Sequence, residues 1–66
     1  MAGMENQTQI LLDEIERFIA DRGMSATAFG AKSLGDPKLV FELRQGRELR
    51  FSTIEKIGEF MTEKAV

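Results

Sequence analysis

The chain has 66 residues, a formal net charge of −2 and neither Cys nor His. That limits it to one small domain and excludes disulfides, thiolate chemistry, zinc fingers and imidazole acid–base catalysis. Its longest apolar runs are three residues, such as Ile10–Leu12, so nothing reads as a membrane span or a signal peptide, and a cytoplasmic protein is the expectation.

Residues 1–5 are expected to form a flexible N-terminus. The first helix is predicted from Asn6 to Arg22. Leu11, Ile15, Phe18 and Ile19 recur at helical spacing, Leu12 joins them, and Gly23 ends the run. Asp13, Glu14 and Glu16 fall between these apolar positions and read as a solvated face. General acid–base work would require one of them desolvated in a cleft, and no cleft is implied.

Ser25 is an N-cap candidate for a short second helix carrying Ala28, Phe29 and Ala31. Gly30 lies inside it, where glycine costs up to about 1 kcal/mol relative to Ala. It is either a tolerated defect or a point of close approach by another helix.

The stretch Gly35–Arg47 then supplies Asp36 as N-cap, Pro37 at the first helical position and Gly46 just past the end. A third helix of about three turns is predicted here. At about 100° per residue, Val40 and Leu43 lie about 60° apart and define its buried direction, whereas Lys38 and Gln45 point away, flanked by Glu42 and Phe41. A helix this short is not stable alone in water, so its apolar side must be pressed onto a scaffold. Phe41 is either packed against a neighbouring loop or placed to touch a partner.

Ser52 and Glu55 match the S-x-x-E capping box. Ile54, Ile57 and Met61, with Phe60 beside them, predict a fourth helix from Thr53 to Lys64. Gly58 is a second place where a neighbouring backbone could approach. Phe18, Phe29, Phe51, Phe60, Met24 and Met61 are assigned to the core or its edge. The fold expected is all-α, a small bundle of about four helices, with 6–64 as a single domain.

No enzyme is expected. Ser25, Ser33 and Ser52 have no base partner, and no cofactor, metal or small-molecule ligand is implied. Charge is distributed unevenly: residues 1–22 hold five carboxylates against two arginines, and residues 30–56 hold six cations against four carboxylates. The basic part contains the third helix.

The unit "SATAFGAKSLGDPKLVFELRQGR" resembles the helix-turn-helix of the lambda-repressor/Cro-like family of prokaryotic and phage regulators. Phe29 followed by small Gly30, a turn, Val40 and Leu43 three apart, then Gly46 carry the match. Ile15 and Phe18 fit the family's first helix, and Ile54, Ile57, Gly58 and Met61 its fourth, so residues 15–61 are covered. The resemblance implies a helix-turn-helix DNA-binding domain over 6–64 with double-stranded DNA as partner. It implies a nucleoid-associated, cytoplasmic transcriptional regulator, a repressor acting by promoter occupancy. Residues 36–45 become the recognition helix in the major groove.

Base contacts then fall to Pro37, Lys38, Phe41, Glu42 and Gln45. Lys38 would donate to guanine, Glu42 would accept from cytosine, and Phe41 would touch a thymine methyl. Phosphate contacts fall to Ser25, Thr27, Arg44, Arg47 and Arg50.

Three departures from the family accompany the match. The turn glycine comes one residue late, as Gly35, with Leu34 in its usual place. The family's ion pair between an Arg of the first helix and a Glu late in the recognition helix is replaced by Ile19 and Arg44, which leaves Arg44 free to reach solvent or phosphate. The chain ends where a fifth, dimerising helix would begin. A homodimer on a two-fold operator would need two recognition helices about 34 Å apart, joined through Ile10–Leu12 or the tail Glu59–Val66, unless these simply cover each other.

The alternative function is a protein-interaction module on the same scaffold, antitoxin-like or anti-repressor, which the overall acidity favours. The two are separated by charge geometry. Lys38, Arg44, Arg47 and Arg50 on one surface favour DNA; neutralisation of that surface by Glu42 and Glu48 does not.

Overall fold

Leu11, Leu12, Ile15 and Ile19 share one face of a helix and are all buried, because the 3.6-residue repeat stacks them on one side. That helix, α1 (Gln7–Arg22), is the first of four in a computed structural model that describes residues 7–65; the others are α2 (Ala26–Leu34), α3 (Leu39–Arg44) and α4 (Phe51–Ala65). The N-terminus expected to be flexible over 1–5, and the helix start at Asn6, lie outside the described residues. The fold is a small all-α bundle. No helix among the described residues is long and apolar enough to cross a membrane.

α3 and α4 each pack on both α1 and α2. Between them lie Phe29 of α2, Leu39, Val40 and Leu43 of α3, and Ile57 of α4, all buried. The Phe29 ring meets Phe18 edge-on at 5.7 Å and Phe60 at 5.4 Å. Burying a side chain of this size stabilises the fold by about 1.5–3 kcal/mol. Three aromatics therefore tie α1, α2 and α4 together.

α2 begins as its sequence predicts: Ser25 Oγ accepts the Ala28 N–H at 3.0 Å. It ends at Gly35, whose φ of +69° is open to glycine at little cost. The Gly35 and Asp36 N–H groups turn back onto the carbonyls of Ala31 and Gly30 at 2.9 and 3.0 Å. This folds the chain over the face of α2, where Gly30 lies. A Cβ on Gly30 would stand 2.2 Å from the Asp36 carbonyl oxygen and 3.2 Å from Leu39 Cβ. The approach at Gly30 is real: the turn comes nearest through Asp36, and α3 follows through Leu39.

α3 is shorter than the predicted span. Asp36 accepts the Leu39 N–H on its carbonyl at 3.0 Å and the Lys38 N–H on Oδ1 at 3.1 Å. Lys38 has φ −93° and ψ 1°, so Asp36–Leu39 is a type I turn with Pro37 at its second position. Asp36 and Pro37, expected as the N-cap and first residue of α3, are therefore part of a turn ahead of a six-residue helix whose N-cap is Lys38. Leu39, passed over in the sequence, is fully buried beside Val40. Gly46 closes the helix with φ +104°.

Thr8, buried on α1, accepts the Leu49 N–H at 3.2 Å and holds the following loop against the bundle. α4 then starts at Phe51, two residues early, with the Ile54 N–H bonded to the Arg50 carbonyl. Ser52 accordingly sits inside the first turn and is not the cap of an S-x-x-E box. Phe51 is 65% exposed and leaves the expected core, because six residues at about 100° place it about 120° round the helix from buried Ile57. Gly58 departs too, since nothing lies within 4 Å of a Cβ built there.

Gly30→Ala separates packing from propensity. Alanine raises intrinsic helix propensity by about 1 kcal/mol, yet the clash with a backbone carbonyl should cost more, about 1–3 kcal/mol as in overpacked cores. A thermal melt followed by circular dichroism should show a clear fall in midpoint, and an unchanged or raised midpoint contradicts the close approach.

Candidate nucleic-acid interface

The three buried side chains of α3 fix which edge it turns outward. Pro37, Lys38, Phe41 and Gln45 are exposed, and Glu42 is half-buried. Lys38 and Gln45 stand at the two ends of α3 rather than within it. Phe41 is 43% exposed, and the Arg44 guanidinium lies 5.6 Å from its ring centroid, within cation–π range. Its contact is therefore with a cation on its own helix.

Arg44 is not free, contrary to the expectation. Its Nε donates to Glu16 Oε2 at 2.7 Å and its Nη2 to Oε1 at 2.9 Å, a two-pronged pair from α3 to α1. The Arg44 hydrogen bond is the main reason the Glu16 carboxyl is held below the usual carboxylate range, with partial burial opposing it. The same bond raises Arg44. α3 and α1 are thus linked by an ion pair whose acid lies one turn before Ile19.

Arg47 is engaged as well. Its Nη1 donates to Asp36 Oδ2 at 3.1 Å and to Glu42 Oε1. The Asp36 bond is the largest cause that raises its pKa, with Glu42 adding to it. The turn before α3 and the loop after it are bridged through this one guanidinium. Lys38 and Arg50 have no ion pair among the described residues.

Of the ten residues predicted for DNA, Phe41 meets Arg44, and Glu42 meets Arg47. Ser25 and Thr27 stand exposed at the start of α2, with the Ser25 hydroxyl used in capping. Arg50 is exposed just ahead of α4. The surface is mixed in sign: Glu42 neutralises part of it, and Asp36 and Glu16 neutralise more.

Glu16 and Asp36 are the residues that sequence reasoning missed as electrostatic partners. Glu16 and Arg44 lie 28 residues apart, and no local sequence signal joins them. No family model, curated protein or solved structure matches the chain.

Because the folded pKa of Glu16 is lowered, its pairing stabilises the fold above the usual carboxylate pKa. That contribution is lost as pH falls through the folded value. Both partners are more than a third exposed, so solvent screening keeps the effect small. Glu16→Gln should melt slightly below the parent chain at about pH 7, and the gap should close as the pH is lowered through the folded pKa of Glu16. A gap of equal size above and below that pKa would show that the pair contributes nothing through charge.

Proposed function

We propose that the chain is a sequence-specific double-stranded DNA-binding transcriptional regulator, acting as a repressor by occupying a promoter. One observation carries the reading: Leu39, Val40 and Leu43 pin α3 from below, so that Lys38, Phe41 and Gln45 face solvent along one edge. On this reading α2, its turn and α3 work as a helix-turn-helix, with α3 entering the major groove. An α-helix is about 10–12 Å across with its side chains, which suits a groove about 12 Å wide. Lys38, at the helix start, would donate to guanine, and Gln45 would reach a base or a phosphate.

The arginine pairs modify this reading without removing it. Exposed ion pairs contribute little, and a guanidinium with five donors can exchange a carboxylate for a phosphate. Arg47 would go to the sugar-phosphate backbone, and release of Glu42 would free that carboxylate for cytosine. Thr27 and its neighbours at the start of α2 would offer backbone N–H groups to another phosphate. Arg50 would add a further contact beyond α3.

The protein-interaction reading is favoured by one feature: Arg44 and Arg47 both face carboxylates, so the edge of α3 has little net positive charge. Selection of bound fragments from a random duplex pool separates the two. Enrichment of a palindromic consensus establishes DNA binding by a two-fold assembly, and no enrichment at low salt leaves the interaction module.

Two variants test the contacts. Lys38→Ala should relax preference at one base position, at a cost of about 1–3 kcal/mol if the contact is bidentate; an equal loss on every sequence speaks against direct readout. Arg47→Ala should weaken binding to all sequences and make the salt dependence shallower by roughly one. A slope identical to the parent's rejects a phosphate role for Arg47.

A further inference from the structure

The side of the molecule formed by α1 and α4 carries a second surface. At about 100° per residue, Ile10, Glu14, Arg17 and Asp21 form a stripe on α1 about 100–160° round from Glu16, the residue that meets α3. Beside this stripe the two helices enclose a shallow groove of about 600 Å³ with Phe18, Gly58 and Met61 in its lining. A smaller hollow against Ile10, Leu11 and Ile54 continues it towards the start of α1. Ile10 is 47% exposed there. At Gly58 the α4 backbone is bare and open.

The rims of the groove are acidic. Glu14 and Asp21 line it from α1, while Glu55, Glu59 and Glu63 line the adjoining surface of α4. Arg17 is the one cation among these lining residues. No group of carboxylates among the described residues is placed to hold a metal ion. Phosphate is repelled by such a rim, which rules out DNA on this side. A two-fold contact with a second copy would press the acidic rims against each other. The chain's own first six residues carry Glu5 and no basic side chain.

We propose that this groove docks a cationic amphipathic helix of a partner protein. Apolar side chains of the partner would lie over Met61 and Ile54, beside the Phe18 ring that Arg22 covers at 4.7 Å; its backbone would cross at Gly58, and its Lys or Arg residues would meet the two rims. This is the helix-in-groove mode, with affinity from the floor and orientation from the charges. It does not depend on what α3 binds.

The test uses a fluorescent synthetic Leu/Lys peptide of amphipathic helical pattern as probe, with a scrambled peptide of the same composition as control. Anisotropy should show tighter binding of the patterned peptide. Gly58→Leu, which fills the floor from an open position, should weaken it by about tenfold or more. Glu55→Gln with Glu59→Gln, both exposed and distant from the core, should weaken it severalfold and flatten its salt dependence even if Gly58→Leu lowers stability. Amide shifts in nuclear magnetic resonance spectra should move at Phe18, Gly58 and Met61. Equal binding of both peptides, insensitivity to both sets of variants, or shifts confined to α3 would overturn the proposal. So would a peptide-free dimer that Gly58→Leu dissociates, since a second copy would then occupy the groove.

Discussion

The contact on which the remainder of the structure depends is the one between Gly30 and the Asp36 carbonyl. Any side chain at residue 30 would occupy the space that the peptide of Asp36 takes. With that space open, the turn lies flat on α2 and Leu39 reaches the core alongside Phe29 and Val40. The six residues of α3 are too few to form a helix unaided. Its existence and its aim both follow from where the turn delivers it. A glycine that lowers helix propensity locally is therefore repaid through tertiary packing, which commonly outweighs propensity in a small domain.

Sequence periodicity was sufficient for whatever depended on one element at a time. The stripe of Leu11, Ile15 and Ile19, the Ser25 cap and the stops at Gly23 and Gly46 all read directly from residue type and spacing. It failed where two elements compete for the same residues. Asp36 and Pro37 signal a helix start in any context, but packing on Gly30 makes them a turn and moves the regular helix to Leu39. Ser52 and Glu55 fit a capping box, yet Thr8 holds the preceding loop and α4 begins before the serine arrives. Phe51 then follows α4's own geometry outward, regardless of its hydrophobicity. Gly58 looked like Gly30 in sequence, and only the neighbour's position distinguishes a filled approach from an open one.

The charge pattern shows the same limit at longer range. Glu16 and Arg44 are 28 residues apart, and nothing between them in sequence marks a pair. The resemblance pointed the other way, since Ile19 in place of a charged residue implied a free Arg44, whereas the acid that holds it is Glu16. The pair places the cation on α3 and the acid on α1. An arginine on α3 faces outward with a carboxylate behind it, so the helix edge gains a guanidinium that is oriented before any ligand arrives. Orientation of this kind reduces the ordering cost on binding, and it comes with competition from the carboxylate that holds it.

If both proposed surfaces bind their ligands, they would be coupled through electrostatics even though they sit on different sides. A chain of net charge −2 approaches a polyanion with an unfavourable monopole, and only the local arrangement at α3 opposes it. On the proposed reading one α3 would reach only one half-site, whereas a two-fold operator requires two. A cationic helix seated between α1 and α4 would cancel part of the acidic rim and shift the whole assembly towards positive charge. The electrostatic part of duplex affinity would then rise without any new contact at α3. If the two proposals hold together, occupancy of the groove becomes a control on DNA binding. The mechanism needs no movement of the bundle, because the field of the docked helix acts on the approaching duplex through a molecule only 34 × 24 × 21 Å across. That distance exceeds the Debye length of about 8 Å at physiological salt, so the coupling should be strong only at low ionic strength, which distinguishes it from a conformational switch.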